Sequence, residues 1–252
     1  MYFFFRNLVR WWFVLTARPK MLHAERIPVD GAAILACNHG SAVETVLVPA
    51  MLDRQPAHVA KRELFSDRRP FHWLLGRFIY WAGARPMDRS GGRASANSMA
   101  DVVDHLNGGG IVVVFPEGTR SPDGRMYKGK TGVARLALAT GAPVIPIGLI
   151  NTIPVRKGWW PFKRMVGPKL RVGKPIDFSA WRDGINDSAV LRYVTDQVMT
   201  EIQKLTGQSY VDVYAASLRS AQAAGRTLEA IEQPTPGAGR PVPELPSKVI
   251  DE

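Results

Sequence analysis

The chain has one cysteine, Cys37, which excludes an internal disulfide and makes a reducing compartment the easier reading. Long apolar runs are missing as well. In the N-terminal stretch MYFFFRNLVRWWFVLTARPKM the longest uncharged run, Trp11 to Ala17, falls far short of the ~20 residues that span a bilayer. Neither the apolar core nor the small-residue cleavage site of a signal peptide is evident there. Acidic residues are scarce, 22 against 33 lysines and arginines, and the net charge of +11 calls for an anionic partner. Nucleic acid, an acidic membrane leaflet and a phosphorylated or coenzyme-like substrate all meet that description. No Gly-x-Ser-x-Gly elbow occurs, which argues against a serine nucleophile of that type. Nor does a second histidine or cysteine lie at ligand spacing, so a metal site is poorly supported. The glycines at 108–110 lack the lysine of a phosphate-binding loop and read as a helix stop. No internal repeat is present.

What is present is a folded α/β pattern. With 46% hydrophobic and 22% charged residues, the composition excludes wholesale disorder. GAAILACNH and IVVVFPEGT read as buried strands, as do PVIPIGLI, KLRVGKPID and HVAKREL. WAGARPMDR reads as an extended segment that Pro86 confines to an edge or an irregular end. Between them, helices are expected from about Arg93 to Leu106, Thr131 to Thr140, and Val190 to Leu205 as the last. Strands separated by helices of this length predict one α/β domain over 21–232, with a mixed, mostly parallel sheet flanked by helices. Residues 1–20 form an interfacial helix in this reading, its aromatics dipping into a membrane and its arginines facing phosphates. The alternative is an ordinary amphipathic helix packed on the domain. Two more patches mix tryptophan with basic residues, FHWLLGRFIYWAG and KGWWPFKR. From Gln233 the Pro/Gly-rich end reads as a disordered tail, 233–252.

Chemistry-bearing residues collect where strands end, which is where ligands bind in open α/β sheets. NHGSAVE follows the first strand, and FPEGTRS follows the strongest one. His39 and Glu44 are five residues apart, about 140° around a continuous helix, so they meet only if His39 precedes the helix and Glu44 lies in its first turn. Two readings of Glu44 stand: a carboxylate that orients the His39 imidazole, or the far end of a Ser41–Glu44 capping box. Cys37, beside Asn38-His39, is either a covalent acyl acceptor or a small packed residue that ends a strand. Lys128 and Lys130 either steer an anion or form a solvated basic turn.

The order and content of these islands resemble the glycerolipid acyltransferase family, the PlsC-like 1-acylglycerol-3-phosphate acyltransferases. That family carries Asn-His-x-x-x-x-Asp, Gly-x-x-Phe-Ile-x-Arg, Phe-Pro-Glu-Gly-Thr-Arg-Ser and Val-Ile-Pro in this order. Phe115 to Ser121 and Val144-Ile145-Pro146 match without a mismatch, and the resemblance runs from about Ala32 to Gly148. In the second motif Gly83 and Arg89 fit, while Pro86 and Met87 replace Phe-Ile. In the first motif Glu44 stands where the family has aspartate. The resemblance implies His39 as general base and Glu44 as its partner. It implies Arg89, Arg120 and Lys61 as cations for the acceptor's phosphate, Glu117 as orienting the acceptor's hydroxyls or holding the loop, Gly118 as letting backbone approach the ligand, and Thr119 as part of the acceptor site. It further implies transfer of an acyl group from acyl-CoA or acyl-ACP to lysophosphatidate, or alternatively to glycerol 3-phosphate, with neither metal nor bound cofactor. A monotopic enzyme on the cytoplasmic face of the cell membrane, resting on its anionic surface, is the corresponding expectation. A nucleic-acid-binding module is the main rival that the charge allows. It fits poorly, because the tryptophans cluster near the N-terminus and in loops rather than interleaving with basic residues. A membrane-bound interaction protein with a vestigial site is a second rival.

Overall fold

The computed structural model describes residues 2–61, 84–87, 93–155, 165–228 and 231–246. The two other tryptophan-rich patches, at 71–83 and 157–164, and Arg89 lie outside the described residues.

The frame is a sheet whose middle strand is buried on both faces. Ala33–Cys37 forms β2, and every one of its residues is buried. It pairs in parallel with Ile111–Val114 (β5) on one side and with Val144–Ile150 (β7) on the other. Outward from β5 follow Pro56–Lys61 (β3) and the edge strand Ala84–Met87 (β4), both parallel. Outward from β7 come Lys169–Val172 (β8), antiparallel to β7, and Lys20–Leu22 (β1). The described residues thus form a seven-stranded, mixed and mostly parallel sheet in the order β1-β8-β7-β2-β5-β3-β4. Pro86 sits in an edge strand, where its missing N–H costs no ladder bond to a further neighbour.

Alternation along β2 divides the core in two. Ile34 and Ala36 join a cluster with residues of three helices, Arg93–Asn107 (α3), Gly132–Thr140 (α4) and Ser188–Thr206 (α5). Ala33, Leu35 and Cys37 join the opposite cluster, with Phe13 of Tyr2–Thr16 (α1) and Leu47 of Glu44–Met51 (α2). Both faces of the central strands are therefore covered, which is why β2, β5 and β7 read as continuous apolar runs rather than alternating ones. At ~25 cal/mol per Å², each large side chain buried here contributes roughly 1.5–3 kcal/mol.

Three features depart from the sequence reading. The arginines of α1 turn toward the domain instead of outward. Arg6 Nη1 donates to the carbonyls of Leu52 and Asp53, and Arg10 Nη1 donates to the Asp53 carboxylate at 3.0 Å. These contacts dock α1, and its other face leaves Phe4, Leu8, Trp11, Trp12 and Leu15 exposed. Second, α5 is not the last helix: Ala215–Ala223 (α6) follows. Third, residues 233–246 are not a free tail. Glu232–Gln233 (β10) pairs with Tyr210–Val211 (β9), which pairs with Met126–Tyr127 (β6) in a small second sheet. Arg240 then bridges the carboxylates of Asp196 and Asp212, two partners that local sequence cannot reveal. Among the described residues, no helix is long and apolar enough to cross a membrane.

Candidate functional site

Three parallel strands, β7, β2 and β5, deliver their carboxyl ends to one place, and the loop after each contributes to it. After β2 the chain is anchored by Asn38. Its side chain imitates a strand neighbour, donating Nδ2 to the Leu149 carbonyl at 3.0 Å and accepting the Leu149 amide at 2.7 Å. His39 comes next, and each part of it is held. Its amide donates to Glu117 Oε1 at 3.0 Å, and its carbonyl accepts the Ser121 amide at 2.7 Å. Its ring stacks on Phe115, with centroids 4.2 Å apart and planes at 27°. Its Nδ1 lies 2.8 Å from Glu44 Oε2.

Helix α2 begins at Glu44, with His39 ahead of it, which is the placement the five-residue spacing requires. The capping box does not form. The residue preceding the helix is Val43, already in helical conformation, and no side chain caps the helix. Ser41 Oγ accepts the Val43 amide at 3.3 Å instead. The carboxylate of Glu44 does accept a backbone N–H, but that of Gly40, at 2.9 Å to Oε2 and 3.2 Å to Oε1. A Cβ on Gly40 would lie 3.2 Å from Ile153 and 3.4 Å from Glu44 Oε1, so glycine lets the loop close over the carboxylate.

Glu44 is fully buried, and the groups around its carboxylate are the Gly40 amide, the Thr152 hydroxyl and the His39 ring. Since an ionised carboxylate can only accept, the ring must present N–H at Nδ1. That leaves Nε2 as the basic nitrogen. The side chain of His39 is 13% exposed, enough for contact with a bound molecule.

Glu117 is the second carboxylate of the site and serves a different purpose. It is 2% exposed and accepts two amides, His39 on Oε1 and Tyr127 on Oε2 at 3.1 Å. Burial pushes its carboxyl up to about 8, against the pull of the two amides, and the nearby Glu44 pushes the same way. Both oxygens are therefore taken up by the protein's own backbone. The sequence reading gave Glu117 either the acceptor's hydroxyls or the loop, and the geometry is that of the loop. Gly118 also differs from its expected use. At φ +70 it occupies the left-handed region, and a Cβ there would lie 3.0 Å from Lys130 Cε, so the Lys130 stem fills the space. Thr119 is partly buried and Arg120 exposed on the same loop, and the Arg120 carbonyl accepts Arg219 Nη2 at 2.9 Å. Lys128 is committed to Asp212 at 3.3 Å.

The structure thus brings together His39, Glu44, Glu117 and the 118–120 loop. Lys61 is placed by its backbone at the end of β3, two strands from β2, opposite Met87. Cys37 is fully buried, and burial pushes its thiol far up, which removes the thiolate that an acyl acceptor would need. The sequence reading missed Thr152, Phe115 as the ring's stacking partner, and Asn38 as the anchor. The strand-end rule that found His39 could also have pointed to residues 151–152, just past β7.

Comparisons with known proteins agree with this layout. The acyltransferase family description matches residues 18–150, more than half of the chain. Among curated relatives, the 1-acyl-sn-glycerol-3-phosphate acyltransferase of Limnanthes alba is 32% identical over 158 residues, which is 62% of this chain and 54% of that protein. The protein of the same name in Cocos nucifera is 31% identical over 121 residues, 48% of this chain and 38% of that one. The chain therefore spans about half the length of these plant relatives, or less. The Haemophilus influenzae protein of that name is 27% identical over 188 residues, covering 71% of this chain and 74% of its own. The crystal structure of the 1-acyl-sn-glycerophosphate acyltransferase PlsC from Thermotoga maritima superposes with a TM-score of 0.58 at 23% identity. That match covers 81% of this chain and 79% of that one, and it establishes a shared fold.

Proposed function

The chain belongs to the acyltransferase family, and from that premise we propose that it moves a fatty acyl group from a thioester donor, acyl-CoA or acyl-ACP, to a hydroxyl of lysophosphatidate. The product is phosphatidate. The observation that carries this reading is the fixed imidazole, held 2.8 Å from a buried carboxylate beside a loop that ends in an exposed arginine.

A glycerol hydroxyl attacks a thioester poorly until its proton is leaving. His39 Nε2 takes that proton as the oxygen bonds to the thioester carbonyl carbon. The imidazolium, stabilised by Glu44, then returns the proton to the departing thiolate. Nothing becomes attached to the protein, and no metal or bound cofactor takes part. General-base assistance of this kind is worth about 10²–10⁴-fold. Arg120 and, from outside the described residues, Arg89 hold the acceptor's phosphate by the forked geometry that suits guanidinium, with Lys61 as a third cation. Glu117 braces His39 and does not touch substrate.

Association with the cytoplasmic face of the membrane fits the exposed aromatic face of α1. Trp11 and Trp12 are 65% and 58% exposed, a high fraction for such large apolar side chains side by side. The inward arginines leave anionic lipid to other cations.

A panel of phosphorylated acceptors with one acyl thioester tests the proposal, with the esterified hydroxyl identified in each product. Lysophosphatidate is expected to turn over fastest. Faster turnover of glycerol 3-phosphate would move the assignment to that acceptor. Thioester consumption without any acylated glycerol phosphate would defeat it.

A further inference from the structure

We infer that Thr152 is a positioning residue for the His39–Glu44 pair: its hydroxyl fixes the carboxylate that fixes the imidazole. The inference rests on the reading of His39 as the base, and it adds a residue that the motif pattern does not contain.

The geometry is specific. Thr152 is 3% exposed, and its Oγ1 donates to Glu44 Oε1 at 2.5 Å. Glu44 Oε2 faces His39 Nδ1 at 2.8 Å, while the Gly40 amide reaches both oxygens. Each oxygen thus has a distinct duty. Oε1 is held by a hydroxyl from the loop after β7, and Oε2 meets the ring and, at 2.9 Å, the Gly40 amide. A carboxylate that is fully buried needs such donors to offset its lost hydration and to keep one rotation. The backbone is shaped to bring the hydroxyl there. Asn151 takes φ +58, in the left-handed region that asparagine tolerates, and turns the chain as β7 ends. Ile153 then packs over Gly40, within 3.2 Å of where a Cβ would be, so residues 151–153 seat directly on the loop that carries His39.

This arrangement also explains how glutamate can occupy position 44. The extra methylene, relative to aspartate, has to be absorbed without rotating the carboxylate away from the ring. A hydroxyl on the far oxygen and an amide that spans both oxygens, supplied by two loops, do that. Thr152 acts through Glu44 and touches no substrate.

The test uses full-length Thr152→Val and Thr152→Ser. Valine keeps the shape and loses the donor; serine keeps the donor and loses a methyl. Two quantities are read: kcat and KM for thioester and acceptor, and the tautomer of His39 from the ¹⁵N shifts of its ring. Thr152→Ser is expected to keep wild-type kcat and the Nδ1–H tautomer. Thr152→Val is expected to lose about 10-fold in kcat, with both KM values unchanged and a mixture of tautomers. In a Glu44→Gln background the valine change should cost nothing further. If Thr152→Val does not fold, Thr152→Ala is read in its place. Wild-type kcat and tautomer in the variant without the hydroxyl would overturn the inference. So would equal losses in serine and valine, which would mean the contribution is packing. The tautomer does not depend on turnover, so it separates this inference from the acyl-transfer reading. A His39-independent rate defeats the latter, while an unchanged tautomer defeats the former.

Discussion

Two buried acids hold the same histidine, and they differ in which part of it they hold. Glu44 meets the ring, whereas Glu117 meets the backbone amide and ties it to Tyr127. One sets the proton position on the imidazole; the other sets where the imidazole is. Both residues look alike in sequence, as acids in motifs beside a strand end, yet their chemistry diverges. Substitutions at the two sites should therefore separate rate from stability.

Glu44→Gln is expected to give the largest effect of the pair. The amide NH₂ would point at Nδ1 and favour the wrong tautomer, so the transfer rate should fall about 10²- to 10⁴-fold while the protein stays folded. Loss of stability with an unchanged rate would reverse the comparison and make Glu44 the structural member.

Glu117→Gln is next. Glutamine offers one acceptor oxygen for two amides, leaving one N–H unpaired at a cost of roughly 1–3 kcal/mol. A pH signature accompanies that offset. The folded-state value of about 8 lies above the ordinary 4.5, so the protonated form is the one the fold favours. Its contribution is fully present below the ordinary value and is lost as pH rises toward about 8. Urea unfolding from pH 4.5 to 8 should show wild type losing its advantage over the variant as pH rises. A constant gap would contradict the burial account.

Gly40→Ala tests how tightly the two loops close. The added carbon would meet Ile153 at 3.2 Å and Glu44 Oε1 at 3.4 Å, so a modest loss of stability, about 1 kcal/mol, and a slower rate are expected. An unchanged rate would mean the loop has room to spare. The smallest effect on chemistry belongs to α1. Replacing the exposed Trp11 and Trp12 together by serine should leave transfer to a soluble short-chain acceptor nearly unchanged while lowering the fraction bound to anionic vesicles. Unchanged partitioning would remove α1 from the membrane contact.

Legibility in the sequence followed range. Strands β2, β5 and β7 were readable because burial on both faces writes unbroken apolar runs, and His39 because it ends one of them. Helices α3 to α5 carry amphipathic spacing and came out within two residues of their ends. Strands β1, β6, β9 and β10 are two or three residues long, shorter than any period that could announce them. The C-terminal segment reads as flexible by its prolines and glycines. It is fixed by Arg240 meeting acids 44 and 28 residues away. The arginines of α1 could not be oriented from their own segment, since their partners lie beyond α2. Thr152 is 108 residues from Glu44, and only the adjacency of β2 and β7 brings them together.

The central claim is that one imidazole removes the acceptor's proton. Its most direct test is the steady-state transfer rate of His39→Ala, with acyl thioester and lysophosphatidate saturating and the fold checked by circular dichroism. The account predicts an intact fold and no product above the uncatalysed background. Product formed at the wild-type rate by the folded variant would contradict it.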